Sequence, residues 1–193
     1  MDKGATSPDF EGDAWIYLGM KRKSRFILAY EVGKRTQQTC DQFMIKVMEA
    51  IELPMPTDSV TFFSDGNRQF YESLKELYVP TCYRYGKLIK YKESGRLVKT
   101  EKEWIIGDGS FKEISTSQIE NMNGIARGSQ SHLVRKTKGF AKKVRRLTKH
   151  YGFFQMYRNF MWTDKNGMTP AMKEDLSGMP MTWDVFLHPN YQT

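Results

Sequence analysis

At 193 residues the chain is long enough for one domain with a real core, and 39% hydrophobic and 13% aromatic content excludes wholesale disorder. Its 30 Lys and Arg against 22 Asp and Glu give a net charge of +8, which favours a polyanionic partner. No apolar run is long enough to span a bilayer and no signal sequence is evident, while Cys40, Cys82, His132, His150 and His188 match no zinc spacing, so we expect a reduced, cytoplasmic protein.

In chain order, residues 1–12 are small, polar and turn-prone and read as a flexible arm. Ala14–Gly19 and Arg25–Val32, separated by the polar MKRKS, read as neighbouring antiparallel strands, with Phe26, Leu28, Tyr30 and Val32 on one face. A helix is expected over about Thr36–Glu52, capped by Thr36 and ended by Pro54 and Pro56, because Cys40, Phe43, Met44, Val47, Met48 and Ile51 fall at helical spacing. Val60–Phe63 reads as a short buried strand in a parallel position, stopped by Ser64-Asp65-Gly66, with a second helix over Arg68–Leu77. VPTCYRY and KLIKY look strand-like, with Cys82 a small buried side chain. Lys92–Glu103 reads as a charged insertion, and Trp104–Ile106 as a short strand or a plug.

The stretch from Ser115 to Phe160 carries most of the chemistry. Between Glu120 and Asp164 there is no acidic residue, but there are ten Lys or Arg: Arg127, Arg135, Lys136, Lys138, Lys142, Lys143, Arg145, Arg146, Lys149 and Arg158. Phe140, Val144, Leu147, Tyr151, Phe154, Tyr157 and Met161 recur every three or four residues, giving a long helix with one apolar face. Asp164–Gly167 then makes a turn, Thr169-Pro170 starts a short helix, and Trp183 and Phe186 pack in the tail. The order strand, strand, helix, strand, helix, strand, long helix is mixed α/β. It resembles a ribonuclease-H-like (retroviral-integrase-like) sheet flanked by helices with its first strand missing.

Three features admit two readings each. Asp65, at a strand-to-helix junction, is either an Asp-Gly turn residue or an oxygen ligand for a divalent metal. Glu120 completes a capping box with Ser117, or faces a metal from the first helical turn. The basic run is a solvated helical face, or a surface that neutralises phosphates with strong salt dependence; its length without an acid favours nucleic acid.

An ordered series of motifs adds to this reading. Gly12-Asp13-Ala14-Trp15, Val32-Gly33-Lys34-Arg35-Thr36, Ser64-Asp65-Gly66 with Phe70-Tyr71, Ser115–Asn123, Lys138–Lys143, Tyr157–Phe160 and Met168–Met172 resemble, in this order, the DDE-class insertion-sequence transposases of bacteria and archaea (the insertion-sequence-one type). The resemblance implies a domain over residues 13–175, lacking its first strand, between the arm and a tail at 176–193. It implies two Mg²⁺ or Mn²⁺ ions held by three carboxylates, with Asp65 the second and Glu120 the third catalytic and metal-binding residue. It further implies DNA cleavage and strand transfer, with double-stranded DNA bound by Arg127, Arg135, Lys136, Lys138, Lys142, Lys143, Arg145, Arg146 and Lys149, a homo-oligomer on that DNA, no membrane, and nucleoid association when bound.

The sequence departs from the family in three places. Asn121 stands where an Arg follows the third carboxylate, though Asn123 keeps its place; Trp162–Lys165 replace an Arg and a His. The first carboxylate belongs in the missing strand: Asp13 precedes Trp15 but resembles the start of the second strand. The expectation is therefore a transposase catalytic domain, truncated at its start, with its activity as this chain left open. The alternative is a non-catalytic DNA-binding or dimerisation remnant. A nuclease resolving branched DNA is a third possibility, disfavoured by the Thr-Pro-Ala-Met segment.

Overall fold

A computed structural model describes residues 14–133 and 143–188. The first element, β1 (Trp15–Met20), pairs antiparallel with β2 (Ile27–Gly33). Helix α1 (Gln37–Glu49) follows, its first turn capped by Thr36, whose Oγ1 accepts from the Thr39 N–H at 3.3 Å. Its predicted stripe is real: Cys40, Phe43, Met44 and Val47 are buried. Strand β3 (Val60–Asp65) runs into α2 (Arg68–Leu77), which is capped by Asn67. Strand β4 (Tyr83–Glu93) lies parallel to β3 and antiparallel to β5 (Arg96–Ile106). The two-stranded β1–β2 pair and the three-stranded β3–β4–β5 sheet are separate. Helices α3 (Ser117–Ser129) and α4 (Val144–Met156) come next, then a wide π-turn (Tyr157–Met161), a 3₁₀ turn (Met172–Glu174) and α5 (Trp183–Leu187). The class is α/β, with a mixed three-stranded sheet flanked by helices.

Two cores fix how these pieces stack. One joins Tyr17 and Ala29 of the β1–β2 pair to Phe43, Met44 and Val47 of α1, Leu74 of α2, and Tyr83 and Tyr85 of β4. The other packs Ile27, with Ile16, Leu18 and Met20 beside it, on Met122 and Ala126 of α3 and Tyr151 and Phe154 of α4. The β1–β2 pair is thus covered on both faces, so the one-faced reading of the second strand gives way. Ile27 is held in the second core while Ala29 faces the first, and the pairing shifts register at Gly19/Met20.

Other expectations are corrected. Residues 92–103 are no insertion but the outer half of a long hairpin. A two-residue turn at Ser94 (φ 49°) and Gly95 (φ 80°) closes it, both residues being in the left-handed region that a type I′ turn demands. Trp104–Ile106 end β5. Cys82 is half-buried, because it sits in a 3₁₀ turn before β4, whereas Cys40 is fully buried. Thr169-Pro170 opens a turn leading to the 3₁₀ segment instead of a helix beginning at Pro170. The helical face expected from Phe140 to Met161 starts at Val144 in the described chain: Leu147, Tyr151 and Phe154 are buried, while Val144 and Tyr157 are 37% exposed. Phe140 lies outside the described residues. Arg158, the last cation of the basic run, is buried against the Trp162 ring, 3.7 Å from its centroid. Among the described residues no helix is long and apolar enough to cross a membrane.

Candidate nucleic-acid interface and carboxylate site

The separation of the two sheets leaves a cleft of about 1590 Å³. Residues 14–20 along β1 form one wall and residues 60–65 along β3 another. Consecutive residues of a strand point to opposite faces. A wall containing every residue in turn is therefore a strand's edge, and both strands present edges to the cleft. Strand β3 accordingly stays half-buried from Val60 to Ser64, although its sequence suits full burial.

Asp65 closes β3 at its carboxyl end and lines this cleft. Its Oδ1 accepts the Asn67 N–H at 3.1 Å, so the carboxylate does form the local turn, and Asn67 in turn caps α2. The neighbouring Ser64 hydroxyl hydrogen-bonds Tyr85 Oη at 2.6 Å, and burial pushes the Tyr85 phenol up to about 12.

Glu120 lines the same cleft from the first turn of α3. The expected capping box is not formed. Thr116 is the cap residue and Ser117 the first helical residue, which places Glu120 one position too far along to reach back to the cap N–H. Its carboxylate instead accepts from the Thr116 hydroxyl at 2.5 Å and from the Lys90 ammonium, which contacts both oxygens at 2.5 Å. Partial burial works to raise the Glu120 carboxyl, but the bonds from Lys90 and Thr116 outweigh it and the net shift is downward. Asn123, one helical turn on, also borders the cleft.

The basic residues fall into two groups. Arg127, Lys143, Arg145, Arg146 and Lys149 are exposed, and Arg127, Lys143 and Arg145 line the cleft. Arg135, Lys136, Lys138 and Lys142 lie outside the described residues, as do the expected arm and Asp13. Sequence reasoning missed the cations on the facing wall. Lys21, Arg22 and Lys23, read only as a polar turn, line the cleft with Arg35. Arg22 Nη1 donates to the Glu113 carbonyl at 2.6 Å, Lys21 is paired with Glu174, and Arg35 lies 4.6 Å from the Trp15 ring centroid. Nothing local marks Lys90 either, since its partner is thirty residues away.

The described residues do not by themselves fit a pair of divalent ions. Asp65, Glu120 and Glu174 line the cleft, but Glu120 already holds the Lys90 ammonium and Glu174 that of Lys21, and among the described residues no group of three or more His, Cys, Asp and Glu is arranged to hold a metal. No protein-family model matches the chain, and neither a curated protein nor a solved structure matches it.

Proposed function

We propose that this chain is the body of a DDE-class transposase catalytic domain with a ribonuclease-H-like fold, acting on double-stranded DNA by phosphodiester cleavage and strand transfer. The observation that carries this reading is that Asp65 and Glu120, from distant parts of the sequence, both line one cleft bordered by cations from both sides. Carboxyl ends of strands are where ligands of open α/β sheets gather. A cleft whose lining cations outnumber its carboxylates concentrates its field on an anionic chain. Arg127, Lys143 and Arg145 on one side and Arg22, Lys23 and Arg35 on the other would bind and orient a phosphate backbone. A metal-dependent reaction in this cleft requires a further carboxylate beside Asp65 and Glu120, since Glu174, which lines the same cleft, is paired with Lys21. The second reading, a non-catalytic DNA-binding remnant, is favoured by one observation: Lys90 occupies both oxygens of Glu120.

Two measurements decide between them. Fluorescence anisotropy with a labelled duplex should show that Lys143→Ala/Arg145→Ala/Arg146→Ala flattens the slope of log affinity against log salt by about 2–3 units, the loss of roughly three phosphate contacts. An unchanged slope makes these residues a solvated face and removes both readings. Nicking of supercoiled plasmid in Mg²⁺ or Mn²⁺, lost in Glu120→Gln, favours the enzyme; salt-sensitive binding with no nicking favours the remnant.

A further inference from the structure

Helix α4 carries large aromatic side chains on its outside as well as in the core. Its buried residues Leu147, Tyr151 and Phe154 recur at i, i+4 and i+7. Arg146, Lys149 and Phe153, with Tyr157 just beyond the helix, fall at i, i+3, i+7 and i+11 and form a second stripe. All four are exposed. Helix α5 lies on the end of this stripe. The Trp183 indole stacks on the Phe153 ring at 5.7 Å and 18°, and on the Tyr157 ring at 6.2 Å and 17°.

Both rings beneath the indole come from α4, so they cover one of its two faces. Phe186 meets Trp183 at 79° and Phe153 at 73°, so it stands at the edge of the stacked pair and not over it. The indole is nevertheless 48% exposed, and what stays open is its outward face. Thr182 fixes the approach of α5, its Oγ1 accepting the Val185 N–H at 3.4 Å. The result is a flat aromatic plate, backed by two rings and braced by a third, with its π-face in solvent.

The geometry points to this plate as a stacking platform for the bases of single-stranded DNA. Stacking needs an open base face, which a duplex withholds because each pair covers the next. Sites for single strands combine such plates with cations that follow the backbone. Lys149 and Arg146 supply those cations, one and two helical turns before Phe153, and α4 has no acidic residue. Asp184, the acid of α5, stands about 100° round the helix from Trp183. The cations along the stripe and the net charge of +8 match a polyanion better than an apolar protein face. The choice of DNA over RNA rests on the transposase reading. The platform itself uses neither the carboxylates nor Lys143 and Arg145, the α4 cations that line the cleft.

Tryptophan fluorescence of the full chain tests it. The probes are an oligothymidylate of about twelve nucleotides, an abasic deoxyribose-phosphate oligomer of the same length, and a dumbbell duplex whose closed ends expose no base face. Oligothymidylate should quench the emission, and the abasic oligomer should bind at least about tenfold more weakly. Trp183→Leu keeps an apolar side chain on Phe153 without the plate. It should lose the quenching and at least about tenfold in affinity for oligothymidylate, whereas Trp183→Tyr should stay within about threefold of the parent chain. Affinity for the dumbbell should be equal in all three. Equal binding of the abasic oligomer, parental affinity in Trp183→Leu, or equal losses in the Leu and Tyr variants would each overturn the proposal. So would an oligouridylate RNA that binds at least about tenfold more tightly than its deoxyuridine twin. Emission that responds to anionic phospholipid vesicles but not to oligothymidylate would assign the plate to a membrane surface, and a dimer in sedimentation that Trp183→Leu dissolves would assign it to a second copy. Either result also overturns it. Quenching by oligothymidylate without duplex binding leaves the platform standing and removes the transposase reading; duplex binding and nicking without that quenching does the reverse.

Discussion

The α1–α2 side of the molecule and the cleft between β1 and β3 use similar aromatic and aliphatic residues. On the α1–α2 side Phe43 is 3% exposed and stacks on Tyr17, while Leu74, Tyr83 and Tyr85 close around it. Phe63, in the cleft wall, is only half-buried, with Trp104 edge-on to its ring and Arg22 over it. The difference lies in the backbone. Helices satisfy their own amides internally, so α1 and α2 can seal a surface with side chains alone. A strand edge is sealed only by something that supplies donors and acceptors. The outer edge of β2 shows how this is done with side chains. Asn159 Oδ1 accepts from Ile27 N–H and its Nδ2 donates to Ile27 C=O, both at 2.9 Å, while Gln155 Nε2 donates to the same carbonyl at 3.0 Å.

The contrast between the two phenylalanines is the easiest to break. Phe43→Ala should cost about 3–5 kcal/mol, the usual range for emptying a packed aromatic site, whereas Phe63→Ala should cost about 1 kcal/mol. Urea unfolding at unchanged m-value reads both. Equal costs would show that the cleft is closed in solution. Asn159→Ala sharpens the comparison at the satisfied edge: it strands one buried donor and weakens one acceptor, for about 2–4 kcal/mol by the same assay, with Asn159→Asp intermediate because only the acceptor role survives.

The smallest effect is at Asp164. A hydrogen bond from Lys173 and two from the backbone N–H groups of Met168 and Asn166 hold its carboxyl at about 2, below its ordinary 3.8. Its folded-state value is depressed, so the stability it contributes is present above about pH 4 and is lost as the pH falls toward 2. Acid unfolding of Asp164→Asn should therefore differ from the parent chain most near neutral pH and converge with it near pH 2. A constant difference across that range would assign the effect to the turn backbone instead of the charge.

Local pattern made the helices legible. Thr36 and the Cys40–Val47 stripe predict α1, and a second helix over Arg68–Leu77, directly after Ser64-Asp65-Gly66, was expected with the bounds observed. The antiparallel β1–β2 pair and the parallel placement of β3 were also readable, because strand order and apolar run length are local properties of the sequence. What depends on three dimensions was not. The Lys90–Glu120 pair joins a strand to a helix and leaves no periodic trace. The displacement of the α3 cap to Thr116 is a shift of one residue, within the ordinary uncertainty of helix ends, yet it removes the capping role from Glu120. Arg158 sits within a basic run but on the inward side of the π-turn, where the extra residue per turn rotates it under Trp162.

The three-stranded sheet has two borders, and they differ in what they invite. Along the outside, β5 carries Arg96, Lys99, Glu101, Lys102 and Glu103, and Lys99 pairs with Glu101 at 3.5 Å and Lys87 with Glu103 at 2.8 Å. Charges spaced along an outer strand raise the cost of stacking one molecule's sheet on another's, which is how soluble proteins resist fibre formation. The inner border, along Val-Thr-Phe-Phe of β3, carries no such gatekeeper. Its run of β-prone, uncharged residues is the kind of segment that seeds cross-β assembly. The protection of this sheet against aggregation is therefore one-sided, and the vulnerable side is the one enclosed between the helical layers.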